Sequence, residues 1–399
     1  MNQCNRLLWR PRECNQRGFT PGYPRVLHDP RMMALRFSLA LLSVILLVFA
    51  AAGCEDAGDN GDMSRGKAGI AGSAAASSRL VFYNWEEYLG KNTLAQFQEQ
   101  TGIEVELHTY QDDEEMLAAL QSGAISADLI ILSEPVAMEM VKARLLMALD
   151  MNALPNAAHI ASGNLIPDAA TGEHYVIPYL MGTTGFLVNA KHIPDHGSSW
   201  RLLWDERFKG RMAMLDTPFE VFAAASKMLG YPVNPLPEQL DEVRRALWQQ
   251  KPLLAGYMDR IVLMEKMVSG EPWAAQMYSG DGLTAVEENP DLIFVIPEEG
   301  CAAWVDVLVV PLQSTNVEGA LEFINFVHTP EIMGDISSEL WAATPNLAAR
   351  EYISPAVLRS SIVYPLQSAL DRCEYFGDMG GAESVRLRLK CWAELIADQ

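Results

Sequence analysis

Residues 79–133 read RLVFYNWEEYLGKNTLAQFQEQTGIEVELHTYQDDEEMLAALQSGAISADLIILS, and this stretch indicates the fold class. Its short apolar or alternating runs predict strands over 79–85, 103–110 and 128–133. Between them, apolar residues at helical spacing predict helices over 91–101 and 114–121, the first of which ends at Thr101-Gly102. Strands that alternate with helices are typical of a parallel sheet with crossover helices, so the sequence predicts an α/β protein.

Two of these predicted strands end in side chains that can bind a ligand. Trp85 ends the first run and Ser133 ends the third. In parallel sheets, ligands bind beyond the carboxyl ends of the strands. We therefore expect both residues at a ligand site.

A second α/β pattern follows later in the chain, with predicted strands over 211–215, 273–278 and 292–296 and helices over 221–229, 240–249, 260–268 and 317–328. Two extended runs, near 183–190 and 304–311, predict paired crossings between two lobes. A chain of 399 residues is long enough for two cores. We assign 79–186 and 308–350 to lobe 1, 187–307 to lobe 2, and 351–399 to a C-terminal helical segment.

The N-terminal part of the chain predicts export. Residues 32–54 combine basic side chains, a short apolar stretch and the sequence Ala51-Ala52-Gly53-Cys54, which resembles the lipobox of bacterial lipoproteins. We predict that residues 1–54 are an N-terminal extension and lipoprotein signal, with translation starting at Met32 or Met33 and Cys54 carrying the lipid. A plain secretory signal with an incidental cysteine is the alternative. Residues 55–78 are rich in Gly, Ala and Ser and predict a flexible tether.

The net charge points to a cationic ligand. The chain carries −21, and residues 1–54 carry +5 (seven arginines, two acids), so the part after Cys54 carries −26. Such a body repels nucleic acid and anionic membranes and attracts cations. An acidic surface that serves only solubility is the alternative.

The sequence offers no catalytic constellation. It has no His-Glu-x-x-His, Cys-x-x-Cys, Gly-x-Ser-x-Gly or phosphate-loop pattern. Pro194 lies between His192 and His196 and disfavours a helical metal site. We therefore predict neither an enzyme, nor a cofactor, nor a metal site. Cys373 and Cys391 could pair in an oxidising compartment or stay reduced, with Cys301 a free buried thiol.

The segment Tyr83-Asn-Trp-Glu-Glu-Tyr88 resembles the opening of the spermidine/putrescine-binding proteins that serve polyamine ABC transporters. The similarity continues in order through residues 79–365, at Phe97-x-x-x-Thr-Gly-Ile, Asp128-Leu-Ile-Ile-Leu-Ser133, Val176-Ile-Pro-Tyr179, Trp200-x-x-Leu-Trp204, Phe208-Lys-Gly210, Glu220-Val-Phe222, Pro297-x-Glu-Gly300, Trp304-Val-Asp306 and Thr344-Pro-Asn-Leu-Ala-Ala349. The resemblance implies a two-lobed periplasmic-binding-protein (venus-flytrap, type II) fold with two crossover segments and a ligand in the interlobe cleft.

The resemblance also implies a set of ligand-binding residues: Trp85, Tyr88, Ser133, Glu220, Tyr278, Asp281, Trp304 and Asp306. Protonated amines bind carboxylates and aromatic faces, and the methylenes between them need apolar walls. Core packing is the alternative role for each aromatic residue, and a solvated surface for each acid. Asp306 argues for a ligand, because it interrupts an apolar strand where a buried carboxylate without a cation is costly.

Departures from the family pattern favour putrescine over spermidine. Thr217 stands where the family often has an acid, and Pro135 where spermidine binders have an aromatic residue. Ala342 and Phe376 occupy two further positions, which are polar or aromatic in the spermidine type. We therefore expect a monomeric, lipid-anchored periplasmic protein that delivers putrescine to an inner-membrane ABC permease. The alternatives are a lipoprotein that signals polyamine level to a membrane sensor, or a binder of another small organic cation.

Overall fold

The computed structural model describes residues 79–397, apart from residues 112, 166 and 378. Within this range the strands are β1 (Arg79–Trp85), β2 (Glu104–Tyr110), β3 (Leu129–Ser133), β4 (Val176–Asn189), β5 (Met212–Leu215), β6 (Leu254–Met258), β7 (Ala274–Tyr278), β8 (Leu292–Val295), β9 (Ala302–Val309) and β10 (Glu374–Tyr375). The helices are α1 (Thr93–Thr101), α2 (Asp113–Ser122), α3 (Glu134–Lys142), α4 (Pro218–Leu229), α5 (Leu240–Gln250), α6 (Arg260–Ser269), α7 (Ser279–Glu288), α8 (Val317–Val327), α9 (Pro330–Leu340), α10 (Pro355–Leu358), α11 (Gln367–Leu370) and α12 (Gly381–Ile396). The predicted signal, Cys54 and tether lie outside the described residues.

The α/β class is confirmed, and each predicted strand and helix of the described range has a counterpart. Sequence reasoning missed β6, α7 and α9, as well as β10, which lies in the segment predicted to be helical. The first turn of α7 reads Ser279-Gly-Asp-Gly282, and two glycines there give it a low intrinsic helix propensity. Tertiary packing of Leu283 and Ala285 stabilises this helix instead, since both side chains are buried.

The strands form one sheet in the order β2-β1-β3-β9-β4-β7-β5-β6, with β10 added to β9 and β8 added to β4. β1 pairs in parallel with β2 and β3 at one end, and β5 pairs in parallel with β6 and β7 at the other. Between these halves, β4 and β9 are antiparallel over most of their length. These two strands are the paired crossings that the sequence predicted.

Two sets of core residues lie on either side of the crossings. One includes Phe82, Ile131 and Phe323, and the other includes Phe186 and Phe222. All five side chains have no solvent exposure, as expected for cores that stabilise the fold by apolar burial. The lobe boundaries at 186/187 and 307/308 stay predictions.

Helix α12 of the C-terminal segment packs on the second core. On α12, Leu395 is fully buried in that core and Trp392 packs against it. β10 adds a short parallel pairing to the start of β9. Among the helices described, none is both long and apolar enough to cross a membrane.

In the structure Cys301, Cys373 and Cys391 are free cysteines, and Cys301 is buried as expected. Pairing of β10 with β9 brings Cys373 next to Cys301, with their Sγ atoms 2.9 Å apart. Cys391 lies on α12, among residues of the second core. The partner that the fold offers to Cys373 is therefore Cys301, which is buried as predicted but has a thiol neighbour.

Candidate functional site

The loop after β1 is stabilised by Asn84, a residue near the end of that strand that is almost fully buried. Its Nδ2 donates a 2.9 Å hydrogen bond to the carbonyl oxygen of Tyr88, and its Oδ1 accepts a 2.8 Å bond from the amide of Trp85. The turn also uses a left-handed backbone at Glu87, with φ 56°. This arrangement places the Trp85 and Tyr88 rings edge to face, with centroids 5.3 Å apart.

Asp306 lies in the middle of β9, where its neighbours are Ser133 on β3 and Leu180 on β4. It is only 7% exposed, and its Oδ2 accepts a 2.5 Å hydrogen bond from the Tyr88 hydroxyl. Burial raises the pKa of Asp306 to about 8, and nearby Asp113 also raises it, while the Tyr88 hydrogen bond lowers it. A bound cation would favour the ionised form of this carboxyl group.

Ser133 is held by an acid that sequence reasoning missed. Asp113, the first residue of α2, accepts hydrogen bonds through Oδ2 from the Ser133 amide at 3.0 Å and from the Ser133 hydroxyl at 2.5 Å. The hydroxyl oxygen keeps lone pairs that can accept a hydrogen bond from a ligand amine. Asp113 sits in the polar run Gln-Asp-Asp-Glu-Glu, and position alone distinguishes it from its neighbours.

Glu220 supplies a second buried acid, from the first turn of α4. It is 4% exposed, and its Oε2 has no hydrogen-bond partner among the residues described. Burial raises the pKa of Glu220 to about 8, Thr184 lowers it and the Asp306 charge raises it. The influence of Asp306 places both acids in one electrostatic environment, although they are on different elements.

Trp304 and Tyr278 form an aromatic corner beside these acids. Their ring centroids are 6.1 Å apart and the planes are nearly perpendicular, at 89°. Gly182 on β4 pairs with Trp304 across the crossing, and a Cβ at this glycine would lie 2.3 Å from the indole. Only glycine admits the ring at this position. The Tyr278 hydroxyl is 3.4 Å from the hydroxyl of Thr217.

Asp281 is brought to the same region, but its carboxylate already has a cation. Oδ1 of Asp281 accepts a 2.9 Å hydrogen bond from Nη1 of Arg260, and the Asp281 side chain is 16% exposed. Burial raises the pKa of Asp281, and Arg260 lowers it. The sequence did not identify Arg260 as a site residue, because a basic side chain is not expected to bind a protonated amine.

The eight predicted residues are therefore connected. Trp85, Tyr88, Asp306 and Ser133 adjoin one another through ring, hydrogen-bond and strand contacts. Tyr278 joins Trp304 by ring contact and Glu220 by charge, and Arg260 links Asp281 electrostatically to Tyr88. The cluster combines carboxylates with aromatic rings, and carboxylates and ring faces are the groups to which organic ammonium ions bind.

A family model for bacterial extracellular solute-binding proteins matches residues 92–357 of this chain. The chain belongs to that family. The spermidine/putrescine-binding periplasmic protein of Escherichia coli K12 is 31% identical over 318 residues, which cover 79% of this chain and 91% of the relative. The predicted resemblance to the spermidine/putrescine-binding proteins is thereby confirmed.

Two further relatives extend the comparison. A putrescine/cadaverine-binding protein of Pseudomonas aeruginosa PAO1 is 28% identical over 339 residues, covering 82% of this chain and 95% of the relative. The crystal structure of the spermidine/putrescine ABC transporter substrate-binding protein PotD of Streptococcus pneumoniae aligns with TM-score 0.69 and 27% identity, covering 81% of this chain and 98% of that one. The type II periplasmic-binding-protein fold is confirmed. By their names, these relatives are substrate-binding proteins rather than enzymes.

Proposed function

We propose that this protein captures a polyamine, with putrescine preferred over spermidine, in the cleft formed along the β4 and β9 crossings and delivers it to an ABC importer. The observation that carries the proposal is Asp306, a buried carboxyl group with a raised pKa that accepts a hydrogen bond from Tyr88 and whose charge acts on a second buried acid, Glu220. A buried carboxylate is stable only with a compensating partner, and a ligand ammonium is such a partner.

The contacts follow from the geometry of the site. We expect one ammonium group of the ligand to bind Asp306, with the Ser133 hydroxyl as a further acceptor, and the other to bind Glu220. The rings of Trp85, Tyr88, Trp304 and Tyr278 form the walls that contact the methylenes and face the positive charge. Ligand binding displaces water from the apolar walls and from the methylenes of the ligand, and this adds to the affinity.

The preference for a diamine rests on the number of acids. Thr217 lies against Tyr278 at the position where many relatives have a third acid, and a threonine hydroxyl cannot neutralise an ammonium. Ala342 and Phe376 are buried apolar residues. A three-charged ligand would therefore leave one ammonium without a carboxylate, at a high desolvation cost.

The cellular setting extends this proposal. The named Escherichia coli relative is a periplasmic protein. The Ala-Ala-Gly-Cys54 sequence supports attachment of this chain to a membrane by a lipid, with the tether 55–78 between the anchor and the binding domain. We infer that the protein acts as a monomer next to an ABC permease.

Calorimetric titration tests the proposal. Purified protein should bind putrescine with one saturable site, bind cadaverine, and bind spermidine more weakly. Lysine and arginine are matched controls, because each carries an ammonium or guanidinium but also a carboxylate that the acidic cleft repels. Absence of binding to any polyamine, with a folded protein, would refute the proposed function.

A further inference from the structure

Arg260 is a basic residue beside the acids of the proposed site. It is the first residue of α6, after the N-cap Asp259, and its side chain is 32% exposed. Nη1 donates to Asp281 at 2.9 Å, and Nη2 is 3.4 Å from the carbonyl oxygen of Glu86 in the loop after β1. The guanidinium group thus reaches from one half of the sheet to the Tyr88 loop on the other.

The charge of Arg260 acts on the binding residues themselves. Burial is the largest cause of the raised pKa at Tyr88, Tyr278 and Asp306, and the Arg260 charge opposes the rise at all three. This influence requires proximity, because charges are screened over short distances in water and less in a buried site. Arg260 therefore belongs to the same electrostatic site as Asp306.

We propose that Arg260 is a specificity-determining residue: its guanidinium holds the Asp281 carboxylate and excludes a third ammonium group, which limits the ligand to a diamine. This inference rests on the proposed polyamine function. Asp281 then acts through Arg260 instead of binding the ligand. A longer polyamine would have to displace the partly buried Arg260–Asp281 ion pair and place its third charge beside a resident positive charge. Such a repulsive element is an effective source of specificity.

The decisive variant removes the charge of Arg260 and keeps much of its aliphatic bulk. In Arg260→Met, the Asp281 carboxylate becomes available to a third ammonium. We expect spermidine affinity to rise about 10- to 100-fold relative to putrescine affinity, the range for one hydrogen bond to a charged group. Putrescine affinity itself should change much less, because its two ammonium groups do not use Asp281.

Two companion variants identify the cause. The double variant Arg260→Met/Asp281→Asn should lose the gain in spermidine affinity, since the freed carboxylate is gone. Arg207→Met is the matched control, because Arg207 forms an ion pair with Asp205 on the exposed surface. Its ratio of spermidine to putrescine affinity should equal that of the wild type.

The outcomes separate this inference from the proposed function. An unchanged affinity ratio in a folded Arg260→Met protein that still binds putrescine would overturn the inference alone. If the gain in spermidine affinity persists in the double variant, the effect comes from the space left by Arg260 and not from Asp281. This result would also overturn the inference. Failure of the wild type to bind any polyamine would overturn both.

A second, independent observation concerns Cys301 and Cys373. Cys301 directly precedes β9 and Cys373 directly precedes β10, and the Glu374 amide donates a 3.0 Å hydrogen bond to the Cys301 carbonyl oxygen. The parallel pairing of Glu374 with Ala302 keeps the two cysteines side by side, with Sγ atoms 2.9 Å apart. Their backbones are thus already fixed in the relative position that a cross-link needs.

We infer that Cys301 and Cys373 form a disulfide bond in the mature protein. Each thiol loses one proton and one electron as the S–S bond forms. A disulfide-containing oxidant of the cell envelope takes up both electrons and both protons and becomes a dithiol. The bond would attach the C-terminal segment to the start of β9, next to Trp304.

Peptide mapping of the full-length protein, extracted from the envelope fraction without reductant, tests this bond. We expect a cross-linked peptide containing Cys301 and Cys373, and a melting temperature that falls by roughly 5–15 °C on reduction. Cys301→Ser and Cys373→Ser should lose the reductant effect, whereas Cys391→Ser, the control, should keep it. Free thiols at both positions after incubation with glutathione disulfide, or a link from Cys373 to Cys391, would overturn the inference.

Discussion

The Tyr88 hydroxyl donates a 2.5 Å hydrogen bond to Oδ2 of Asp306, although the two residues are 218 positions apart in the chain. The bond joins the loop after β1 to the second crossing strand, and it connects an aromatic wall residue to a buried acid. Under the proposed function, a ligand ammonium at Asp306 would therefore lie next to the Tyr88 loop. Ligand binding and the position of this loop should be coupled.

Replacement of Asp306 by asparagine keeps the shape of the side chain and removes its charge. Ligand affinity should fall by about 2–5 kcal/mol, the usual effect of removing one partner of a buried charge pair. The stability of the ligand-free protein should stay the same or increase, because the variant no longer buries an acid that lacks a cation. Calorimetric titration and thermal denaturation of the same variant measure both quantities.

Asp128 provides the matched control for that variant. It is also a buried aspartate, but it accepts hydrogen bonds from the amides of Val81, Thr315 and Asn316, which lower its pKa despite burial. Asp128→Asn should lower stability by about 1–3 kcal/mol and leave binding unchanged. The opposite assignment, with Asp306→Asn unstable and binding normally, would remove Asp306 from the site.

The affinity for a diamine should rise with pH from about 6 to 9. Burial raises the pKa of Asp306 and of Glu220 to about 8, so both groups bind protons near neutral pH when the cleft is empty. A bound ammonium favours the carboxylates, so binding releases protons, while the ligand amines stay charged until about pH 10. Titration at pH 7 in buffers of different ionisation enthalpy measures the released protons, and a pH-independent affinity would contradict this mechanism.

The carboxyl groups of Asp306 and Glu220 should also make the stability of the ligand-free protein depend on pH. Their pKa values are higher in the folded protein than the usual carboxyl values near 4, so between about pH 4 and pH 8 the folded state binds more protons than the unfolded state. Stability of the empty protein should therefore fall as pH rises through this window. Asp306→Asn should reduce the fall, and saturating ligand should oppose it, as denaturation curves from pH 4 to pH 8 can show.

Tyr88→Phe removes the hydrogen bond to Asp306 and keeps the ring. The pKa of Asp306 should rise further, because that bond favours the ionised carboxylate, and affinity at pH 7 should fall by about 1.5–3 kcal/mol. Raising the pH to 9 should restore part of the loss, which a purely steric effect would not allow. Tyr257→Phe, at a buried tyrosine in the second core, should leave affinity unchanged at both pH values.

Trp85→Ala should weaken ligand binding by about 0.5–2 kcal/mol, the range of a cation–π contact. The ring packs against Tyr88 in the proposed cleft wall, so saturating putrescine should also change tryptophan fluorescence in the wild type. Trp248→Ala is the control, since Trp248 is exposed and contacts Arg244. Unchanged affinity in a folded Trp85→Ala protein would make Trp85 a packing residue.

Cys54→Ala should release the protein from the membrane fraction without changing ligand affinity, because the predicted lipid is attached outside the binding domain. Fractionation of cells after a high-salt wash measures this. A variant that stays in the membrane fraction would contradict the lipoprotein prediction.

The sequence by itself determined the fold class and indicated much of the candidate site. Alternation of apolar runs with helical spacing is a local property of the chain, and β1, β2, β3 and the two crossing strands followed from it. Asp306 was also identifiable, since an acid within the apolar run Trp304–Val310 conflicts with local burial and so requires a functional reason. The resemblance to the spermidine/putrescine-binding proteins implied the rest of the predicted set.

Only the tertiary structure decided which distant residues meet. The Arg260–Asp281 ion pair, the Asp113–Ser133 hydrogen bonds and the contact of Cys301 with Cys373 depend on the order of strands in the sheet and on their register. A local pattern contains no information on register between segments 20 to 72 residues apart. For the same reason, the close approach of Trp304 to Gly182 becomes visible only when β9 is paired with β4.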